Sequence, residues 1–247
     1  MNEQRNLGLG GFRFIPPVIK TIMISNIIVY LLQNIVLQVF TIGGIPLSSY
    51  LIEYFALQPV NLPEQFFSAA NFYPWQLISY QFLHGGFIHL FFNLFALWMF
   101  GSELETLWGG PRFITYYLLS GVGAGLFQLI LAPMVGQYGP TIGASGAIYG
   151  VLLAYGLSFP DRSIFMFPIF IPIPAKIYVF IFMGLELYLG WSGGDGVAHL
   201  AHLGGGITGF FLLKFGDKLG LYRLVNRMFK KKSSLNEPRH YSRTYSE

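Results

Sequence analysis

Apolar residues cluster into six segments along the chain, separated by stretches rich in glycine, proline and charged side chains. The longest segments reach the roughly 20 residues that a helix needs to cross a bilayer. The alternating ten-residue pattern of a membrane β-barrel does not occur in the sequence. We therefore predict an all-α membrane protein, a bundle of six transmembrane helices over residues 18–40, 86–107, 111–131, 145–159, 175–190 and 197–215.

Two of the intervening stretches are rich in apolar and aromatic residues but are too short or too broken to span. Residues 46–74 include Glu53, Pro59 and Glu64 among Phe, Tyr and Leu, which predicts a long lateral loop at the membrane interface. Residues 165–174 are rich in Phe, Ile and Pro, and they predict a short interfacial connection before the fifth span.

The composition agrees with a location in the membrane. Of 247 residues, 53% are hydrophobic and 11% are charged, against about 25% charged in an average soluble domain. The chain has no cysteine, so any chemistry must use serine, histidine, carboxylates or backbone groups. The first apolar segment is too long for a cleaved signal peptide and lacks a small-residue cleavage site, so we expect no processing.

Basic residues predict the orientation of the bundle, because Lys and Arg stay on the cytoplasmic side of a membrane. They occur before the first span and in the connections predicted to lie inside, whereas the stretches 41–85, 132–144 and 191–196 carry none. Both termini, segments 1–17 and 217–247, are therefore predicted to be cytoplasmic. The C-terminal segment is basic, and we expect it to contact anionic membrane lipid rather than nucleic acid.

A serine flanked by small residues opens the fourth span, in Gly143-Ala-Ser145-Gly. Its hydroxyl is not shielded by a bulky neighbour, and its own backbone N–H belongs to the unsatisfied first turn of a helix. Ser145 can therefore act as a nucleophile whose N–H stabilises an oxyanion. The alternative is an N-cap serine.

Two histidines, His199 and His202, occur in the last span. Ala201, Gly205 and Gly209 form a small-residue stripe on that helix, and the helix of Ser145 has a matching stripe at Gly146, Gly150 and Ala154, so the two helices are expected to touch. At about 100° per residue, His202 lies nearer to the stripe than His199 does. We predict that His202 is the base for Ser145, that His199 is structural, and that Tyr149 stacks on the imidazole of His202. No carboxylate is evident as a third catalytic residue, which favours a dyad of Ser145 and His202.

A third polar group lies at the start of the second span, in the segment from His84 to Asn93. His89 and Asn93 are four residues apart and project from one helix face, so both can donate hydrogen bonds to an oxyanion beside Ser145. His84 precedes the span and either lines the site or contacts a loop.

Other enzyme classes fit less well. A zinc site built from histidines would lack the His-Glu-x-x-His pair of membrane metalloproteases, so no metal or other cofactor is expected. An aspartyl protease would need two aspartates within spans, and Asp161, Asp195 and Asp217 all lie outside them. A transporter with a histidine proton relay would favour internal repeats, and none is visible.

These three groups, in this order across six spans, resemble the rhomboid family of intramembrane serine proteases over about residues 70–215. The family's Gly-x-Ser-Gly serine and sixth-helix histidine fall on Ser145 and His202. Its His-x4-His-x3-Asn segment, whose second histidine and asparagine help to bind the oxyanion, falls on His84, His89 and Asn93.

The resemblance extends to supporting residues, with one departure. Tyr149 matches in spacing, and Glu105 corresponds to a structural, hydrogen-bonding glutamate at the end of the second helix. The family's frequent Trp-Arg pair in the first loop is Trp75-Gln76 here, which puts the packing of that loop in doubt.

The resemblance implies a serine endopeptidase that hydrolyses peptide bonds in or near the transmembrane helices of single-span membrane proteins. A catalytically silent relative that binds membrane clients would be expected to have lost the serine or the histidine, and both are present. The compactness of the chain favours the bacterial inner (plasma) membrane as its location.

Overall fold

A computed structural model describes residues 15–59, 72–166, 171–192 and 198–227 of the protein. Parts of both predicted terminal segments, residues 1–14 and 228–247, lie outside the described residues, as does Asp195. In chain order the elements are α1 (Pro17–Val39), β1 (Thr41–Ile42), β2 (Ile45–Pro46), α2 (Leu47–Phe55), α3 (Gln76–Ser79), α4 (Phe87–Trp108), α5 (Gly110–Leu131), α6 (Ser145–Ser158), β3 (Ser163–Met166), β4 (Ile171–Pro174), α7 (Ala175–Ser192) and α8 (His199–Phe215).

Within the described ranges, α1, α4, α5, α6, α7 and α8 cover the six predicted spans, and their ends lie within two residues of the predicted ones. Three helical stretches, Pro17–Val39, Phe87–Trp108 and Gly110–Val135, are long and apolar enough to cross a membrane, and α6 is a shorter apolar helix. This agrees with the predicted all-α membrane fold. Both α1 and α4 contain a π-helical turn, at Leu32–Val36 and Leu97–Gly101.

The two predicted connections contain more regular structure than expected. In the stretch predicted as a short interfacial connection, β3 and β4 pair antiparallel, with Ile164 opposite Ile173. Alternating Ile and Pro in β4 suits an edge strand, because proline cannot donate to a further neighbour. The predicted lateral loop includes α2, which the small hairpin of β1 and β2 precedes, and residues 60–71 of this loop lie outside the described residues.

Gln76, where the family pattern has arginine, lies fully buried in the first loop. Its Oε1 accepts the backbone N–H groups of Gln58 and Tyr73, both at 3.2 Å. Its Nε2 donates to the backbone carbonyls of Glu53 and Tyr54, both at 3.3 Å. Gln76 therefore connects α2 to the segment that enters α3, and the described part of the loop is packed around it despite the departure.

Glycines allow α6 and α8 to approach until their backbones touch. A Cβ at Gly205 would overlap the carbonyl oxygen of Gly146, and one at Gly209 would lie 2.9 Å from Cα of Gly150. Close-packed interiors have no room for such a group. The predicted contact between the two small-residue stripes is therefore present, and it brings the start of α6 against the start of α8.

Glu105, near the end of α4, accepts hydrogen bonds from the first turn of α1. Its carboxylate oxygens lie 2.9 Å from the backbone nitrogen of Val18 and 2.8 Å from that of Ile19. Helix N-termini carry such unsatisfied N–H groups, and a carboxylate also complements the positive end of the helix dipole. Glu105 thus joins the first two spans.

Candidate active site

Ser145 and His202 form a hydrogen-bonded pair. Ser145 is the first residue of α6, His202 lies in the first turn of α8, and the serine Oγ is 2.7 Å from Nε2 of the imidazole. Just before the serine, Gly143 has a φ of +124°, and its N–H donates to the carbonyl of Tyr80 at 2.9 Å. Glycine suits this turn because residues with a Cβ rarely adopt that backbone conformation.

Tyr149 lies one helical turn after Ser145 and stacks on His202. The ring centroids are 4.4 Å apart, with an angle of 11° between the planes. The sequence-based prediction placed Tyr149 at this position, and the structure brings the two rings together. The stack leaves the edge of the imidazole free to face Ser145.

A carboxylate that the sequence analysis did not single out completes this cluster. Glu186 of α7 is buried, and its Oε1 accepts a hydrogen bond from the hydroxyl of Tyr149. Its Oε2 lies 2.6 Å from Nδ1 of His199 and 2.9 Å from Nδ1 of His202. The second contact is close but not aligned as a hydrogen bond, since Nδ1 of His202 has no partner of hydrogen-bond geometry. An acidic residue inside the predicted fifth span was the available signal, because charges at membrane depth are costly.

A cavity of about 940 Å³ opens beside the Ser145 hydroxyl and includes His89, Asn93 and His202 in its wall. Asn93 is buried, and its amide Nδ2 has no hydrogen-bond partner in the described part of the chain. Such an orphaned donor is costly unless it serves a ligand or a transient charge. The amide of Asn93 can therefore serve an oxyanion in this cavity.

His89 approaches the same place from α4. Its Nε2 would lie 2.7 Å from a Cβ placed on Gly143, so the imidazole occupies the space that a side chain there would need. The backbone N–H of Gly85 points at its Nδ1 from 3.5 Å. When Nδ1 accepts, the proton is on Nε2, and Nε2 can then donate toward the turn that carries Ser145.

His84 is buried behind His89 rather than in the cavity wall. Its backbone N–H donates to Oε1 of Gln33 at 3.2 Å and its carbonyl accepts from Nε2 of Gln33 at 3.0 Å, which attaches the loop to α1. The imidazoles of His84 and His89 meet edge to face with centroids 5.0 Å apart. Burial, together with the neighbouring His89, lowers the pKa of His84 to about 4, so this imidazole is neutral at pH 7.

Three side chains lie close enough together to ligate a metal ion. Glu186, His199 and His202 each offer a ligand atom, and these atoms lie within 4.8 Å of one another. In the observed arrangement His202 directs Nε2 at Ser145, and Glu186 is occupied by its hydrogen-bond donors. The expectation that no metal is required stays a prediction.

Comparison with known proteins identifies relatives over most of this region. A model of the Rhomboid domain family matches residues 71–216, more than half of the chain. Rhomboid protein 1, mitochondrial, of Saccharomyces cerevisiae is 30% identical over 206 residues, which cover 80% of this chain and 56% of the yeast protein. Rhomboid protease GluP of Bacillus subtilis is 34% identical over 139 residues, which cover 56% of this chain and 25% of that protein.

A mouse relative extends the comparison. Presenilin-associated rhomboid-like protein, mitochondrial, of Mus musculus is 31% identical over 144 residues, which cover 56% of this chain and 37% of that protein. The chain thus spans between a quarter and just over half of the length of these curated relatives. Two of the three are mitochondrial by name, so the relatives do not support the predicted bacterial inner membrane over another membrane. The family match over residues 71–216, together with three described helical stretches that are long and apolar enough to cross a membrane, shows that this chain is a membrane protein of the rhomboid family.

Proposed function

We propose that the protein is an intramembrane serine endopeptidase that uses Ser145 as nucleophile and His202 as general base. The observation that supports this most is the 2.7 Å contact between Ser145 Oγ and His202 Nε2 at the edge of a large cavity. A serine hydroxyl becomes an effective nucleophile when a base within hydrogen-bond reach accepts its proton. The pair meets that requirement without rearrangement.

In the proposed reaction, Ser145 Oγ attacks the carbonyl carbon of the scissile peptide bond while its proton moves to His202 Nε2. The carbonyl electron pair moves to oxygen, and the oxyanion accepts hydrogen bonds from the Ser145 N–H, His89 Nε2 and Asn93 Nδ2. Collapse of this intermediate breaks the C–N bond, and His202 donates its proton to the leaving amine. Water then hydrolyses the acyl-enzyme, with His202 again acting as base.

The substrates proposed are single-span membrane proteins, cleaved in or near their transmembrane helices. We propose that a substrate helix arrives laterally through lipid and reaches the cavity beside Ser145, whose wall includes residues of α4, α6 and α8. One relative carries the word protease in its name, Rhomboid protease GluP, and the similarity covers 56% of this chain and 25% of that protein. The proposal for this chain therefore depends mainly on its own residues.

Reconstitution in liposomes with a single-span substrate tests the proposal. We expect cleavage by the unaltered protein and loss of at least about 10³-fold in rate for Ser145→Ala and for His202→Ala, since removal of either member disables proton-coupled attack. Ser102→Ala is the control, because it likewise deletes a serine hydroxyl, but one that is buried and has no hydrogen-bond partner within the described residues. Cleavage that survives Ser145→Ala would overturn the proposal.

A covalent probe separates an inactive protein from an unsuitable substrate. A fluorophosphonate should label the unaltered protein on Ser145, as located by mass spectrometry of the digested product, and should leave His202→Ala almost unlabelled. A folded protein that is neither labelled nor able to cleave would favour the alternative, a relative that binds membrane clients without hydrolysing them.

A further inference from the structure

Glu186 is a carboxylate in the interior of a membrane helix bundle, and it has more hydrogen-bond partners than a packing role requires. It lies in α7 with 6% of its surface exposed. An ionised carboxylate at such a place is strongly unfavourable unless donors compensate for the lost water. Tyr149 donates to Oε1, His199 lies at hydrogen-bond distance from Oε2, and His202 presents Nδ1 to the same oxygen.

The hydrogen bond between Ser145 and His202 determines where the proton of the neutral imidazole lies. For Nε2 to accept the serine proton, Nδ1 must carry the ring hydrogen. That Nδ1 lies 2.9 Å from Oε2 of Glu186, and no other group in the described part of the chain offers it a hydrogen bond. Glu186 therefore favours the tautomer in which His202 can act as a base.

The same contact acts on charge during the reaction. When His202 takes the proton of Ser145 it becomes an imidazolium, and its positive charge then lies beside the negative charge of the buried Glu186 carboxylate. Electrostatic stabilisation of this kind is strong because the carboxylate is already held in place by Tyr149 and His199. A small rotation of the His202 ring would align its Nδ1–H with Oε2.

We propose that Glu186 is a positioning residue for His202, so that Ser145, His202 and Glu186 work as a triad held across α6, α8 and α7. Tyr149 takes part twice, because its ring stacks on His202 and its hydroxyl holds Glu186. His199, which the sequence predicted to be structural, contacts Oε2, the same carboxylate oxygen that faces His202. This inference rests on the proposed function of Ser145 and His202.

Two substitutions of Glu186 separate charge from shape. Glu186→Gln keeps the length and can still accept from Tyr149, but it removes the negative charge. Glu186→Asp keeps the charge on a shorter side chain. If the carboxylate acts on His202, turnover should follow the order Glu, then Asp, then Gln; if the residue only fills space and satisfies donors, Gln should be better than Asp.

The test measures kcat and KM in liposomes together with the rate of fluorophosphonate labelling of Ser145. For Glu186→Gln we expect kcat and the labelling rate to fall by at least about tenfold with KM unchanged; the corresponding carboxylate-to-amide change in a serine-protease triad lowers kcat by about 10⁴-fold. Glu103→Gln is the control, because Glu103 lies near the surface and pairs with Arg162 far from Ser145. Its kcat should remain within about twofold of the unaltered protein.

The failures of the two proposals can be told apart. If Ser145→Ala abolishes cleavage while Glu186→Gln keeps full kcat, the role of Glu186 is wrong and the Ser145–His202 pair stands. If Gln is better than Asp, or if KM alone changes, the role of Glu186 is likewise wrong. If Ser145→Ala cleaves normally, the proposed function itself fails.

A second variant keeps the inference testable if both Glu186 variants fail to fold. Tyr149→Phe removes a donor from the carboxylate and preserves the ring that stacks on His202. Its kcat should fall about threefold to tenfold with KM unchanged, the effect of losing a hydrogen bond that is worth about 1 kcal/mol. An unchanged kcat in this variant would overturn the inference.

Discussion

The ring of Tyr149 lies almost parallel to the imidazole of His202, with centroids 4.4 Å apart and planes inclined by 11°. Both rings are carried by glycine-rich helices that touch, so the stack is set by the packing of α6 against α8. Offset stacking of aromatic rings contributes about 0.5–1.5 kcal/mol beyond the area that the rings bury. The imidazole is therefore held on one face by a ring and on one edge by a serine.

The first prediction separates the two contacts of Tyr149. Tyr149→Leu removes both the stack and the hydroxyl, and we expect kcat to fall by about tenfold more than in Tyr149→Phe, because the imidazole loses its orientation as well. The measurement is the rate of substrate cleavage at saturation in liposomes. Equal rates in the Leu and Phe variants would show that the stack does not orient His202.

The second prediction concerns the orphaned amide of Asn93 in the cavity wall. We expect Asn93→Ala to lower kcat by about 10²–10³-fold, the usual effect of removing one oxyanion donor, while KM changes little. Asn93→Asp should be at least as damaging, because a carboxylate would repel the developing negative charge. Steady-state cleavage by purified variants measures both effects.

A buried asparagine outside the cavity provides the control for Asn93. Asn26 of α1 is fully buried and donates to the carbonyl of Ile22 at 2.8 Å. Asn26→Ala should lower the thermal unfolding temperature but leave the kcat of the folded protein unchanged. If Asn93→Ala likewise changed only stability, the amide would have no part in the reaction.

The third prediction concerns metal dependence. Glu186, His199 and His202 are close enough together to ligate an ion, whereas the proposed mechanism needs only side chains and water. We expect 1,10-phenanthroline and EDTA to leave the cleavage rate unchanged, and a fluorophosphonate to abolish it. Loss of activity on chelation, restored by added Zn²⁺, would instead assign a metal to this cluster.

The sequence was informative about the serine and the two histidine-bearing helices because helical periodicity links spacing to direction. Matching stripes of small residues predicted that α6 and α8 touch, and the position of His202 relative to its stripe distinguished it from His199. The pairing of Ser145 with His202 could therefore be predicted without knowledge of the rest of the bundle.

Glu186 could not be placed by the same means. One carboxylate among apolar residues hardly changes the hydropathy of the fifth span. Its partners lie on α6 and α8, and α7 has no stripe of small residues that would predict which of its faces packs against those helices. The pairing of β3 with β4 was missed for a different reason: the prolines at 172 and 174 suggested only a short interfacial connection, although an edge strand tolerates them. Both misses concern contacts between segments rather than patterns within one.

The fourth prediction tests the backbone contact between α6 and α8. Gly205→Ala would place a methyl group on the carbonyl oxygen of Gly146, and backbone cannot yield as a flexible side chain can. We expect a loss of about 1–3 kcal/mol or more in stability and a loss of cleavage, because Ser145 and His202 separate. Gly184→Ala is the control, since a Cβ there meets nothing within 4 Å and alanine favours a helix.

The fifth prediction compares two glutamates that lie two residues apart on α4. Glu105→Ala leaves the N–H groups of Val18 and Ile19 without acceptors at a buried helix start, and each unsatisfied group costs about 1–3 kcal/mol. Glu103→Ala removes a partly exposed ion pair with Arg162, which is worth about 0–1 kcal/mol, and a long hydrogen bond of 3.5 Å from the hydroxyl of Tyr155. Thermal unfolding in detergent should therefore show a much larger loss of stability for Glu105→Ala. Equal losses would mean that other groups accept hydrogen bonds from the first N–H groups of α1 when Glu105 is absent. The first two spans would then be held together by apolar packing rather than by this carboxylate.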